Sequence, residues 1–149
     1  MRRFHISGSA MAVLILALSF CSAAYSAGGR DFAGFYALTD AAQAGQNYTV
    51  TFTARVFNYS GAGVTGATLL LRGCPGPGAP CSSFSNIDIG TNRPVQLSTK
   101  IAIPAAVYAH WQHGGRPELE IEFTAPDGEK HSERVELMFD HGGAQTHAD

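Results

Sequence analysis

Apolar and polar residues alternate along four segments of the chain, and this alternation predicts β-strands. In residues 48–56 every even-numbered side chain is apolar, whereas the odd-numbered ones are threonines and Arg55. A period of two sends successive side chains to opposite faces of a strand, so one face is predicted to be buried and the other solvated. Residues 95–103, 119–123 and 135–139 follow the same rule, with apolar side chains at odd numbers except Thr99.

Shorter apolar runs predict three more strands, at residues 32–38, 67–71 and 84–89, the last as a short edge strand. Residue types that favour turns separate these segments. Several short strands with turns between them are typical of two packed sheets. The sequence therefore predicts an all-β fold, an antiparallel immunoglobulin-like sandwich of about seven strands.

One short helix is predicted to bridge two strands across one end of this sandwich. Pro104 suits the first helical position, and the pair Gly114-Gly115 supplies a stop. Val107 and Trp111 are four residues apart and share one helical face. The helix is expected to lay Trp111 and Tyr108 over the open edge of the sandwich.

The clearest turn lies between the last two predicted strands, at Ala125-Pro126-Asp127-Gly128-Glu129. Proline presets the backbone for a type I turn, and glycine can take the left-handed position that closes a three-residue loop. Pairing Ala125 with Glu129 sets the register of the hairpin. This register places Leu119 opposite Val135 in the core, Glu120 opposite Arg134 on the outer face, and Phe123 opposite His131.

The first 24 residues match a secretory signal peptide. Arg2 and Arg3 form a positive start, a largely apolar run follows at residues 11–20, and Ser22-Ala23-Ala24 offers small residues for cleavage. The apolar run is shorter than the roughly 20 residues needed to span a bilayer. These features predict a secreted or periplasmic protein with no membrane span in its mature form.

The predicted organisation is a signal peptide at 1–24, a β-sandwich domain at 25–140 and a flexible tail at 141–149. Cys21 offers an alternative, in which it becomes the lipid-modified first residue of a lipoprotein. The resemblance of Leu18-Ser19-Phe20-Cys21 to a lipobox is partial, because Phe20 stands where glycine or alanine is usual.

The charge pattern argues against a nucleic-acid partner. Removing residues 1–24 takes away two of the ten Lys and Arg and leaves eight against twelve Asp and Glu, a formal charge of −4. The eight basic residues are scattered singly, whereas a polyphosphate site needs a cluster of them to displace counterions. Nucleic acid is therefore excluded as a partner, and no cofactor is predicted.

Cys74 and Cys81 are the two cysteines of the predicted mature chain, and they bracket a segment rich in proline and glycine. An even pair in an exported protein is typical of a disulfide, with free thiols or a metal pair as the alternative. A loop this short contributes about 2–3 kcal/mol, so the bond would fix a loop more than it holds the fold. The loop at residues 72–85 is the candidate contact surface, because its cross-link reduces the entropy lost on binding.

A glycine-rich segment suggests dinucleotide binding and the histidines suggest metal binding, but the surrounding sequence supports each only weakly. Residues 61–66 match the dinucleotide pattern G-x-G-x-x-G, but a short apolar strand follows where that site needs a helix. His110 and His113 are three residues apart on the predicted helix, and imidazoles suit zinc or copper. They are the best metal pair, and ordinary surface histidines are the simpler interpretation. Further histidines follow at His131, His141 and His147.

The serines and glutamates of the chain do not form a catalytic pattern, and two asparagines begin glycosylation sequons. No serine lies in a nucleophile elbow, and Glu118, Glu120 and Glu122 share one solvent-facing side of a strand, so no catalytic site is predicted. Asn47 and Asn58 each begin a glycosylation sequon, although Asn58 also fits the role of a bend residue at a strand end.

Residues 50–71 resemble bacterial immunoglobulin-like exported modules of the adhesion-related (CARDB-like) kind. The segments Val56-Phe57-Asn58-Tyr59-Ser60-Gly61 and Val64-Thr65-Gly66-Ala67-Thr68-Leu69 carry the resemblance. In those modules a strand ends in an Asn-x-Gly bend and returns as the next strand, whereas two residues separate Asn58 from Gly61 here. The resemblance implies a β-sandwich used for adhesion, spacing or accessory binding, with no catalytic residues to transfer.

These observations predict an exported, non-catalytic β-sandwich module that contacts a protein or cell-envelope component. An exported copper or zinc carrier is the first alternative. A self-assembling envelope or fibre subunit is the second, because the edge strands of an open sandwich can pair between chains.

Overall fold

The computed structural model describes residues 31–74 and 78–141. The predicted signal peptide, residues 75–77 and the tail from residue 142 onward lie outside the described residues. The described part is mostly β-strand, as predicted, with one short helix. In chain order the elements are β1 (Phe32–Ala44), β2 (Asn47–Asn58), β3 (Val64–Arg72), β4 (Ser82–Ile89), β5 (Val95–Pro104), α1 (Ala105–Gln112), β6 (Glu118–Thr124) and β7 (Lys130–Phe139).

The seven strands form one mixed sheet in the order β4-β3-β6-β7-β1-β2-β5. The sheet curves around a single core until its edge strands, β4 and β5, approach each other. Across that gap the Ser82 hydroxyl donates to Thr99 Oγ1 at 3.1 Å. The molecule is therefore nearly a closed barrel.

The prediction of antiparallel pairing throughout is wrong at one position, because β1 pairs with β7 in parallel from Ala33 to Tyr36. The other five neighbouring pairs are antiparallel. A tight turn forces the two strands that it joins to run in opposite directions. The first and last strands share no turn, so local turn signals do not determine their relative direction.

Period-two burial along the strands builds the core, as the alternation predicts. In β2 the side chains from Val50 to Val56 at even positions are at most 1% exposed, and Tyr48 is half-buried. The remaining strands contribute their inward rows to the same cluster. Its largest fully buried members are Tyr36, Phe32, Phe52, Leu69, Leu71, Ile89, Ile103, Leu119, Ile121 and Leu137.

The first strand is longer than predicted, since β1 reaches Ala44 rather than residue 38. Its second half has little apolar character and is held by pairing with β2, up to Ala44 opposite Asn47. The ladder shifts register between Thr39 and Ala42, where Asp40 has a positive φ of 51°. Hydrogen bonding to β2 therefore extends β1, and the local sequence pattern does not show this pairing.

The hairpin between β6 and β7 has the predicted register. Leu119 pairs with Val135, Glu120 with Arg134, and Phe123 with His131. In the loop, Ala125 N–H donates to Glu129 O at 2.8 Å and Gly128 N–H donates to Ala125 O at 2.9 Å. Gly128 has a φ of 88°, which is the left-handed position that the turn requires.

The helix begins one residue later than predicted. Pro104 is the last residue of β5 and the N-cap of α1, with an extended ψ of 150°. Ala105 takes the first helical position, and its N–H donates to Gln46 O at 2.9 Å. As expected, the helix lays Trp111 over the core, where it is 3% exposed. Tyr108 stacks on Tyr48 with ring centres 4.3 Å apart.

Candidate binding groove at the disulfide end

A disulfide joins Cys74 and Cys81, with Cα atoms 5.5 Å apart. Both cysteines are half-buried and pack against the core. Cys81 N–H donates to Leu71 O at 2.6 Å, so the loop returns directly onto the end of β3. Gly73, at a φ of 93°, turns the chain out of that strand. The loop is therefore fixed at both ends, and residues 75–77 between them lie outside the described residues.

Helix α1 lies beside the disulfide loop because its tryptophan is anchored in the core. The Trp111 ring is 6.2 Å from the ring of Phe52, and a side chain placed on Gly73 would come within 3.7 Å of it. The Tyr36 hydroxyl lies 2.6 Å from Trp111 O and 2.5 Å from Gly115 O, so it ties the end of the helix to β1. The helix and the loop are thus held next to each other by buried contacts.

A groove of about 390 Å³ opens beside the helix, and Gly73, next to the disulfide, lines it. Its floor is formed by Val107 and Trp111, and charged side chains from β6 and β7 and from the segment after α1 form its rim. On the rim, Arg134 Nη2 lies 2.9 Å from Glu118 Oε1, and Arg116 Nη1 lies 2.6 Å from Glu136 Oε1. These exposed ion pairs contribute little stability. The result is an apolar floor with a mixed-charge rim, here called the binding groove.

The predicted metal pair is only partly brought to this groove. His110 is exposed and lines it, whereas His113 is exposed and its Nδ1 lies 2.7 Å from Ala109 O at the end of the helix. Within residues 31–74 and 78–141 no three histidine, cysteine or acidic side chains come together as a metal-binding group. His147 lies outside that part of the chain.

The remaining histidines in the described part pack against aromatic rings. His131 is half-buried and stacks on Phe123, with ring centres 5.5 Å apart, as its predicted pairing implied. His141 stands edge-on to Phe139 at 4.8 Å. Both rings therefore have a packing role.

Two of the three glutamates of β6, Glu118 and Glu120, form cross-strand ion pairs with neighbouring strands. Glu120 Oε2 accepts from Arg72 Nε at 2.7 Å, and Glu120 Oε1 accepts from the Ser132 hydroxyl. These two hydrogen bonds, with that of Ser132 the stronger effect, hold the pKa of Glu120 below its usual range. Although Glu120 lies opposite Arg134 as predicted, Arg134 makes its ion pair with Glu118 instead. Arg134 and Glu118 therefore pair diagonally across the two strands, and the strand register alone does not specify this choice of partner.

The glycine-rich segment leads into a strand, which removes the context a dinucleotide site needs. Gly66 lies within β3, at a register shift in the ladder with β4, and has a φ of 64°. Its N–H donates to Asp88 Oδ1 at 2.8 Å. Because no helix follows, no helix N-terminus faces this loop.

The two sequon asparagines have opposite environments. Asn47 is exposed at the start of β2, whereas Asn58 is 3% exposed at its end. Asn58 Nδ2 donates to Ala62 O at 2.8 Å and to Ile89 O at 3.1 Å. Its Oδ1 accepts from the N–H and the hydroxyl of Ser60. Asn58 is thus the bend residue that the sequence suggested, and its side-chain amide is engaged in hydrogen bonds within the chain.

An exposed run of aromatic side chains crosses the outward face of β7, β1 and β2, and it was not predicted from the sequence. Phe35 pairs with Met138 across β1 and β7, Phe57 stands edge-on to Phe35 at 6.3 Å, and Tyr59 stacks on Phe57 at 6.2 Å. Arg55 lies 5.8 Å from the Phe57 ring centre. These five residues are called the aromatic strip. The signal was available, because Phe35 and Phe57 fall on the outward positions of their strands.

A charged phenolate would be costly at the position of Tyr36, and this predicts alkaline sensitivity. Burial raises the pKa of Tyr36 to about 12, whereas the free side chain titrates near 10. Between these values the unfolded chain loses a proton that the folded chain keeps. The stabilisation is therefore complete below pH 10 and is lost as the pH rises toward 12.

We expect the free energy of unfolding to fall by about 2 kcal/mol between pH 10 and pH 12 through this residue. Urea unfolding at a series of pH values would measure it. The difference between the wild type and Tyr36→Phe isolates Tyr36 from other alkaline titrations, and the exposed Tyr59→Phe serves as the control that keeps the step. An equal alkaline loss in Tyr36→Phe would contradict the prediction.

No family model matches the chain, and no curated protein matches it. Two solved structures are similar to it, both of the GH20 exo β-N-acetylglucosaminidase from Vibrio harveyi, one in complex with N-acetylglucosamine and one an inactive mutant. Each has 13% sequence identity and a TM-score of 0.39, over 72% of this chain. The chain spans 18% of the length of those enzymes.

Among the described residues α1 is the one helix, and its eight residues are too few to cross a bilayer.

Proposed function

We propose that this chain is an exported, non-catalytic binding module that contacts a protein or cell-envelope partner through the binding groove. The observation that carries the proposal is the groove itself, since an apolar floor with a few convergent charged groups is typical of a recognition site. Export is supported by the disulfide, because such bonds persist in oxidising compartments. The signal-peptide pattern of residues 1–24 supports the same localisation.

The fold is further inferred to be immunoglobulin-like. In the seven-strand form of that architecture the first, second, fourth and fifth strands lie in one layer, and the third pairs with the last two in the other. The order β4-β3-β6-β7-β1-β2-β5 keeps β1, β2 and β5 together and β3, β6 and β7 together, with the parallel β1–β7 pair joining the two groups. It differs in that β4 pairs with β3. Loops at the ends of such scaffolds commonly carry recognition, which agrees with a groove at one end.

A non-catalytic role is supported by how the groove uses its charges. Glu118, the acidic group at its rim, is held in an ion pair with Arg134, and the rim residue Arg116 is paired with Glu136. Both carboxylates are engaged by guanidinium groups of this chain, and a general acid or base must instead reach the proton that it transfers. Contact is therefore the function that this site supports best.

The disulfide is expected to favour binding by fixing the loop before the partner arrives. A preorganised loop loses less conformational entropy on association, and the short cross-link contributes about 2–3 kcal/mol to folding. We expect Cys74→Ser with Cys81→Ser to lower the free energy of unfolding by about that amount and to weaken partner binding at least tenfold.

The experiment captures a partner from the native envelope with the purified chain and then measures its affinity for each variant. Arg116→Glu reverses a charge at the groove rim and is expected to weaken binding. Arg93→Glu makes the same change in the β4–β5 loop, at the far end of the fold, and is expected to leave binding unchanged. Unchanged affinity in both the cysteine and the Arg116 variants would overturn the proposal.

The two alternative functions keep their own tests. Micromolar or tighter binding of Cu²⁺ or Zn²⁺ that is lost in His110→Ala would favour the metal carrier. Long assemblies of the purified chain in size-exclusion chromatography would favour the fibre subunit.

A further inference from the structure

The two sequon asparagines lie on opposite faces of β2. Asn47 is on the outward row together with Thr49, the residue that supplies the hydroxyl of the first sequon. Asn58 is on the other row, which builds the core. Side chains two residues apart in a strand point to the same face, so the first sequon presents its amide and its hydroxyl together. Tyr48, which lies between them, is half-buried and stacks on Tyr108.

The surroundings of Asn47 leave room for a bulky group. Asn47 is exposed at the start of β2, directly after the turn that joins β1 to β2. Its partners on the neighbouring strands are Ala44 and Pro104, both of which have short side chains. Among residues 31–74 and 78–141, the Asn47 side chain has no hydrogen-bond partner. Its Nδ2 atom is therefore available for modification without loss of a contact.

A sugar on Asn58 is incompatible with the fold. Asn58 Nδ2 donates both of its hydrogens, to Ala62 O at 2.8 Å and to Ile89 O at 3.1 Å. A glycosylated amide nitrogen keeps only one hydrogen, so one of these bonds would be lost. The Ser60 hydroxyl of this sequon is itself bonded to Asn58 Oδ1 at 2.6 Å. Asn58 is 3% exposed, so a chain modified there could not reach this structure.

We propose that Asn47 is the acceptor of an N-linked glycan and that Asn58 is unmodified in the folded chain. The donor is an oligosaccharide carried on polyprenyl pyrophosphate, and an oligosaccharyltransferase catalyses the transfer. Asn47 Nδ2 forms a bond to the anomeric carbon of the first sugar and loses one proton, while the bond from that carbon to the pyrophosphate oxygen breaks. Polyprenyl pyrophosphate leaves as the anion. This proposal rests on the proposed export of the chain and is independent of the binding groove.

Expression of the full-length chain in a eukaryotic cell line that secretes it tests the site. The secreted wild type should show one mobility shift that peptide-N-glycosidase removes, and peptide mass spectrometry should locate the glycan at Asn47. Asn47→Gln removes the acceptor and Thr49→Ala removes the hydroxyl, so each should abolish the shift. Thr49→Ser preserves the sequon and should keep it. A secreted, folded chain without a glycan at Asn47, or with one at Asn58, would overturn the proposal.

A second form of the chain, in which a signal peptide of the host replaces residues 1–24, separates the site from export. A glycan at Asn47 in this form alone would support the site and would count against a signal peptide at residues 1–24. No glycan in this form would overturn the site itself. Ser60→Ala removes the second sequon and should leave the shift unchanged. Asn47→Gln alters an exposed position and should unfold at the same urea concentration as the deglycosylated wild type, which shows that its lost shift does not come from misfolding.

Discussion

Trp111→Ala is expected to lower the free energy of unfolding by about 3–5 kcal/mol, the usual cost of removing a buried aromatic side chain. Trp111 is 3% exposed, packs near Phe52, and supports both the helix and the disulfide loop. Its loss would leave a cavity at the end of the core and remove the groove floor. A domain of this size has about 5–15 kcal/mol of stability, so the melting temperature should fall by at least about 10 °C.

Far-UV circular dichroism in urea would measure this loss, because the variant lacks the one tryptophan that fluorescence would follow. Gln112→Ala, an exposed position on the same helix, is the matched control and should change stability by less than about 0.5 kcal/mol. Similar small changes in both variants would show that the helix is not anchored through Trp111.

Asn58→Ala is the second large effect, with an expected loss of about 2–4 kcal/mol. The Asn58 amide joins the end of β2 to the loop after it and to Ile89 O at the end of β4. Removing the side chain leaves buried backbone groups without partners, which costs about 1–3 kcal/mol for each group that water cannot reach. A glycan on the Asn58 amide is incompatible with these hydrogen bonds.

Asn47→Ala provides the matched control for Asn58, because both asparagines begin a sequon on β2 but Asn47 is exposed. It should change stability by less than about 0.5 kcal/mol in the same urea titration. If the two variants lost equal stability, the bend would not depend on the buried amide.

The strands could be predicted where one face of the sheet is buried. In β2, β5, β6 and β7 the core needs an apolar side chain at every second position, so the pattern is visible in the sequence alone. The β6–β7 register could also be predicted from the local sequence. The three-residue loop Pro126-Asp127-Gly128 permits one pairing of the two strands. Each of these signals, the alternation and the turn sequence, involves residues that are close together in the chain.

Features that depend on distant partners could not be predicted in this way. The second half of β1 is a strand because β2 pairs with it, and the parallel pairing of β1 with β7 joins residues about 100 apart in sequence. The groove likewise needs Gly73, Trp111 and Arg134, which only the folded chain brings together. The aromatic strip, in contrast, could have been predicted from the sequence. Phe35 and Phe57 are apolar residues at positions where the alternation requires polar ones.

Site-specific photo-cross-linking in the native envelope tests most directly whether the chain acts by contact through the binding groove. A photoreactive residue at Ala106, which is exposed and lines the groove, should capture a discrete partner. The same residue at Asp127, in the hairpin loop at the opposite end, should capture none. Capture at Asp127 but not at Ala106, or at neither position, would contradict this account.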